Sequence, residues 1–148
     1  MTFQMSDVAA IVPFLIMVGM GCIVLLAETF AKNDARVGLV WLSVAGCVAT
    51  FVALIAQWDA ASTKETVFQG MWVVDRLSLF LDFAFVATAL ITLLLAGPYM
   101  REHGFEFGEY YALVLFGAAG MMMVGHADHM LTLLIGIETM SLSLIHIS

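Results

Sequence analysis

Apolar residues are gathered into five long stretches, and polar residues into the short segments between them. The stretches run over residues 8–30, 37–56, 77–97, 110–127 and 130–147. Each holds about 18–23 residues, enough for a helix to cross a hydrocarbon core of about 30 Å. None alternates apolar and polar positions as a membrane β-strand does. In lipid, each segment must satisfy its own backbone hydrogen bonds, so the pattern predicts helices. The predicted fold is all-α: a polytopic bundle of five transmembrane helices forming the N-terminal part of one larger membrane domain.

The linkers carry most of the charge. Lys32, Asn33, Asp34 and Arg36 join the first two helices. A longer stretch, residues 57–76, holds Lys64, Glu65 and Asp75. Arg101, Glu102, His103, Glu106 and Glu109 follow the third helix, which Gly97-Pro98 is expected to stop. The turn His126-Ala127-Asp128-His129 is so short that helices four and five must be antiparallel neighbours. With the N-terminus outside, the inner loops hold Lys32, Arg36 and Arg101, and the outer loop Lys64 and Arg76. That narrow excess favours this topology. Trp41, Trp58 and Trp72 lie near segment ends, where interfacial aromatics are expected.

Composition agrees. Of 148 residues, 63% are hydrophobic and 11% charged, against roughly 45–50% and about 25% in soluble domains. Mean hydropathy is +1.04. A core of this size cannot hide that much apolar surface, so lipid must solvate it. The net charge of −7 comes without any basic patch, which excludes a nucleic-acid partner. Cys22 and Cys47 each fall inside an apolar run and read as free packing thiols. No Cys/His set suggests a metal or cluster, and no Gly-rich loop suggests a nucleotide or flavin.

The N-terminus does not read as a cleavable signal: residues 1–8 contain Asp7 and no Lys or Arg. The sequence stops inside the fifth stretch with no polar flank. Residues 145–148 look foreign to the pattern, so the expectation is a piece of a longer protein, with no functional weight on His146.

Glu138 is the leading candidate for chemistry. It is the one charge in Leu131–Leu144, roughly 13 Å into its helix at 1.5 Å per residue. An ionised carboxylate there must be neutralised, paired or hydrated. The favoured reading is a proton relay; the plainer one is a protonated Glu bonding a neighbouring helix. Asp82, one turn into helix three, and Glu28, near the end of helix one, read as interfacial or structural, Glu28 being placed to pair with Lys32. His126, Asp128 and His129 read most simply as a solvated turn. Proton entry is the intermediate option, and three ligands in four residues make poor metal geometry. Gly117, Gly120 and Gly136 suit close helix packing, and Met121-Met122-Met123 is adaptable apolar filler.

Three segments carry a resemblance. Gly108-Glu-Tyr-Tyr-Ala-Leu-Val-Leu-Phe-Gly-Ala-Ala-Gly-Met-Met-Met123, then Leu131-Thr-Leu to Gly-Ile-Glu138-Thr-Met-Ser-Leu142, resemble subunit N of bacterial NADH:quinone oxidoreductase (complex I). Val73-Val-Asp75-Arg-Leu-Ser-Leu-Phe80 resembles the entry to that family's third helix. The similarity extends over nearly all of the chain, to about Leu144. Sister subunits usually carry Trp before the acid, where Ile137 stands here. The resemblance implies a subunit of about fourteen helices with two inverted five-helix repeats. It also implies that Glu138 matches a glutamate paired with a lysine on the seventh helix, beyond residue 148. Where the family usually has Asp, this chain has His129. The implied role is proton translocation in the bacterial inner membrane, beside other membrane-arm subunits. This chain would hold no cofactor, since NADH, FMN, iron–sulfur clusters and quinone react elsewhere in the complex. The alternatives are a subunit of a multi-subunit cation/proton antiporter or membrane-bound hydrogenase, and a non-transporting membrane scaffold.

Overall fold

The computed structural model describes residues 5–30, 36–59, 65–67, 70–103 and 108–147. They form five helices: α1 (Met5–Phe30), α2 (Arg36–Trp58), α3 (Arg76–His103), α4 (Glu109–Gly125) and α5 (Met130–Ile147). Between α2 and α3 lies a small antiparallel hairpin of β1 (Glu65–Val67) and β2 (Trp72–Val74), with Glu65 opposite Val74 and Val67 opposite Trp72. Gly70 turns it at φ 86°, a conformation open to glycine.

α1, α2 and α3 contain spans of 23, 21 and 25 residues that are long and apolar enough to cross a membrane. α4 and α5 are apolar too, over shorter described lengths. α4 occupies the centre and packs on α1, α3 and α5, while α1 packs on α2 and α2 on α3. Small residues let α4 sit there: Ala112, Ala118, Ala119 and Gly120 are buried on it, beside Tyr111, Leu115 and Met122. The outer faces carry Leu26, Trp41, Val52, Ile55 and Leu95, all exposed, as in a bundle that lipid surrounds.

Two buried hydroxyls inside the bundle are satisfied by their own helix. Ser43 Oγ donates to Leu39 O at 2.8 Å and Thr50 Oγ1 to Gly46 O at 2.9 Å, each one turn back. Pro13 lies inside α1 and has no N–H for the carbonyl of Ala9, four residues back. Gln57, at the end of α2, fills the gap: its Nε2 donates to Ala9 O. α3 starts on a reciprocal cap, with Ser78 N donating to Asp75 Oδ1 at 2.7 Å and Asp75 N to Ser78 Oγ at 3.0 Å.

Several expectations need correcting. α3 does not stop at Gly97-Pro98 but runs through Pro98 to His103. Proline removes one bond without ending a helix that neighbours hold. Helix four ends at Gly125, so His126 and Ala127 lie outside it. The hairpin was not anticipated. Trp72 is not an interfacial aromatic: it is 6% exposed, packed between α1 and the α4–α5 turn. Cys22 and Cys47 are free thiols, the first exposed and the second buried. Lys32, the expected partner of Glu28, lies outside the described residues.

Candidate functional site

α5 has two unlike faces. Thr132, Gly136 and Met140, four residues apart, turn toward α4. The contact is close: a Cβ on Gly120 would stand 3.0 Å from the carbonyl oxygen of Gly136. Away from α4, Leu131, Ile135, Glu138 and Leu142 form one exposed stripe. Glu138 is thus the single ionisable group in an apolar face. It makes no hydrogen bond or ion pair among the described residues. From Met130 it lies eight residues along the helix, about 12 Å.

At the end of the bundle where α5 begins, the structure gathers residues that the sequence keeps far apart. His126 caps α4. Its ring stacks on Trp72, with centroids 4.6 Å apart and planes 11° from parallel. Its Nε2 lies 2.7 Å from Asp82 Oδ2, and its Nδ1 lies 2.5 Å from Val73 O. Its own carbonyl accepts from Val73 N at 2.9 Å. One histidine therefore ties together the hairpin, α3 and the end of α4. A hairpin this short is marginal alone, and these bonds are what dock it.

The tautomer follows from the geometry. Val73 O is a carbonyl and can only accept, so Nδ1 carries a hydrogen. Nε2 and Asp82 Oδ2 then have one proton between them: imidazolium against carboxylate, or imidazole against carboxylic acid. Asp82 is 1% exposed and His126 2%. Burial on this scale overturns the readings of Asp82 as an interfacial acid and of His126 as part of a solvated turn. Asp128 and His129, by contrast, are exposed, so the turn splits rather than converging on a metal. Among the described residues no group of three or more His, Cys, Asp or Glu side chains could hold a metal ion.

Glu28 sits at the opposite end of the bundle. Its Oε1 accepts a hydrogen bond from Gly108 N at 2.8 Å, at the start of α4. The role is a helix cap supplied from another helix.

Sequence reasoning misplaced Trp72 and missed the carbonyl of Val73. Their signal was present: Thr66-Val67-Phe68 and Trp72-Val73-Val74 flank Gly70 with β-branched and aromatic residues. The Asp82–His126 contact spans 44 residues and had no local signature.

Five packed helices, three of them long and apolar enough to span a bilayer, define a polytopic helical membrane protein. No family model matches the chain. Individual relatives do. The chain is 30% identical over 142 residues to NADH-quinone oxidoreductase subunit N of Trichlorobacter lovleyi, a match covering 96% of this chain and 28% of that protein. It is 32% identical to the subunit N of Thioalkalivibrio sulfidiphilus and 33% identical to that of Nitrosomonas europaea, each over 147 residues, 97% of this chain and 30% of the relative. Over nearly its whole length the chain is similar to one part of the subunit N proteins of NADH-quinone oxidoreductase. It spans about 30% of the length of the curated relatives it matches.

Proposed function

We propose that the chain is part of a proton-translocating membrane subunit of NADH:quinone oxidoreductase in a bacterial inner membrane, and that Glu138 is the proton-relay group of these five helices. The observation that carries this reading is the α5 stripe. A lone carboxyl stands in the middle of an apolar helix face, with no partner among the described residues. Facing lipid, it would cost several kcal/mol to keep ionised, so such a group is kept for use rather than for packing. A cationic side chain brought against it by the remainder of the subunit would favour the ionised form; withdrawing that cation would favour proton uptake. The lysine that the family resemblance implies, on a later helix, has that chemistry. Electron transfer from NADH to quinone would occur in other subunits, with the membrane-arm neighbours of this one as its partners.

The test is Glu138→Gln in the complete subunit, assembled in its complex and reconstituted in liposomes. Glutamine keeps the shape and removes the exchangeable proton. The expected outcome is normal assembly with fewer protons moved per electron transferred. An unchanged ratio would leave Glu138 a packing residue and bring the scaffold reading forward.

A further inference from the structure

The Asp82–His126 pair is not used by the reading above, and its bonding is unusual for a purely structural contact. The proton inventory is fixed on one side, because Nδ1 must donate to Val73 O. The remaining proton lies between Nε2 and Asp82 Oδ2, 2.7 Å apart. Moving it breaks one N–H bond and forms one O–H bond. Imidazolium and carboxylate become imidazole and carboxylic acid, and the pair stays neutral throughout. The other carboxylate oxygen, Asp82 Oδ1, is buried and has no hydrogen-bond partner among the described residues. The indole Nε1 of Trp72, stacked on the same imidazole, is in the same position. Buried polar atoms are normally satisfied. Two unsatisfied ones on a single cluster each call for a small polar partner, and water can serve an acceptor and a donor alike.

We propose that Asp82 and His126 form a second protonatable site in this membrane domain, which exchanges a proton with internal water through Asp82 Oδ1. With the ring already holding hydrogens on both nitrogens, an arriving proton bonds to Oδ1. The neutral pair becomes a cation, and the reverse step returns the proton to water. His126 cannot pass the proton onward through Nδ1, which a carbonyl blocks, so Oδ1 is both entrance and exit. Among the described residues, other ionisable groups at this end of the bundle are Asp59 at the end of α2, Asp75 and Arg76 at the start of α3, and Asp128 and His129 in the turn. Asp7 and Glu65 also belong to elements at this end. Asp128 and His129 are exposed. Through the turn, the pair's charge acts on the helix that carries Glu138, so the inference rests on the proton-translocation reading.

The experiment uses the complete subunit in its complex, with Asp82→Asn and His126→Gln. Asparagine can still donate to Nε2, and glutamine can still donate to Val73 O, so each variant keeps part of the hydrogen bonding while removing the exchangeable proton. The expected result is assembly, electron transfer at the wild-type rate under uncoupled conditions, and a reduced number of protons moved per electron. A readout independent of pumping is the pH-difference infrared spectrum, in which Asp82→Asn should remove one carboxylic-acid band. Wild-type stoichiometry in the assembled variants, or an unaltered infrared spectrum, would overturn the proposal. So would failure of both variants to assemble, since hydrogen-bond geometry alone would then be what the pair supplies. Glu138→Gln separates the two readings. If it abolishes pumping while Asp82→Asn does not, only the second site falls; the opposite pattern removes Glu138 and leaves the pair.

Discussion

Gln57 supplies the hydrogen bond that Pro13 withholds. The proline interrupts the α1 ladder at Ala9, and the Gln57 side chain, 48 residues away, donates to that carbonyl. The two positions are therefore energetically coupled although they need not touch. Gln57→Leu should destabilise the protein by about 1 kcal/mol, the net contribution of one hydrogen bond. In a Pro13→Ala background the backbone N–H of residue 13 can reach Ala9 O, and the same substitution should cost far less. A double-mutant cycle read by thermal unfolding of the complete subunit in detergent checks this. Equal penalties in both backgrounds would refute the coupling.

The α4–α5 contact makes a second prediction. A Cβ on Gly120 would lie 2.9 Å from the Met140 backbone nitrogen, and one on Gly136 would lie 3.1 Å from Gly120 O. The obstacles are backbone atoms, which cannot rotate aside. Gly120→Ala should therefore cost about 1–3 kcal/mol through overpacking, and should push away the helix that carries Glu138. Gly19, where an added Cβ meets nothing within 4 Å, is the control: Gly19→Ala should be neutral or mildly stabilising. Unfolding midpoints of the two variants decide it.

The residues themselves explain how much could be read from sequence. Helix existence was legible because lipid demands long apolar runs, and the five runs are unmistakable. Gly120 and Gly136 were legible as packing positions because only small residues allow helices to approach closely. The end of α3 was misread because Pro98 is a reliable stop only where water can take over the lost backbone bonds. Asp82 and His126 were misread for a different reason. Each looks interfacial by depth, and only the fold shows that the hairpin closes over them. Glu138 stood out as a lone charge, but which face of α5 it occupies needed the α4 contact to define the opposite side.

Glu28 caps α4 from α1, and the pairing is tight. A Cβ on Gly108 would collide with the Glu28 carboxylate. Glu28→Ala removes the acceptor for the Gly108 N–H and should cost about 1 kcal/mol, as loss of an N-terminal cap does. Glu28→Gln keeps an acceptor oxygen and should retain most of that stability. Gly108→Ala should resemble Glu28→Ala, because the methyl displaces the carboxylate. If Glu28→Gln proves as costly as Glu28→Ala, the charge, through the helix dipole, outweighs the hydrogen bond.

Trp72 anchors the hairpin on both sides. Its ring meets Phe14 of α1 edge-on at 5.5 Å and lies flat against His126. A two-stranded hairpin of three residues per strand has little stability of its own, so its order depends on this docking. Trp72→Ala should cost about 3–5 kcal/mol as a large-to-small core change, with a local signature as well. The Val73 amide, held by His126 O at 2.9 Å, should be protected from hydrogen exchange in the wild type and should lose that protection in the variant. Trp72→Phe preserves an aromatic face for both neighbours and should keep most of it. Peptide-resolved hydrogen exchange over residues 65–74 separates these outcomes. Val73 exchanging at the same rate in all three proteins would mean that the backbone pairing with the α4–α5 turn, rather than the indole, holds the hairpin in place.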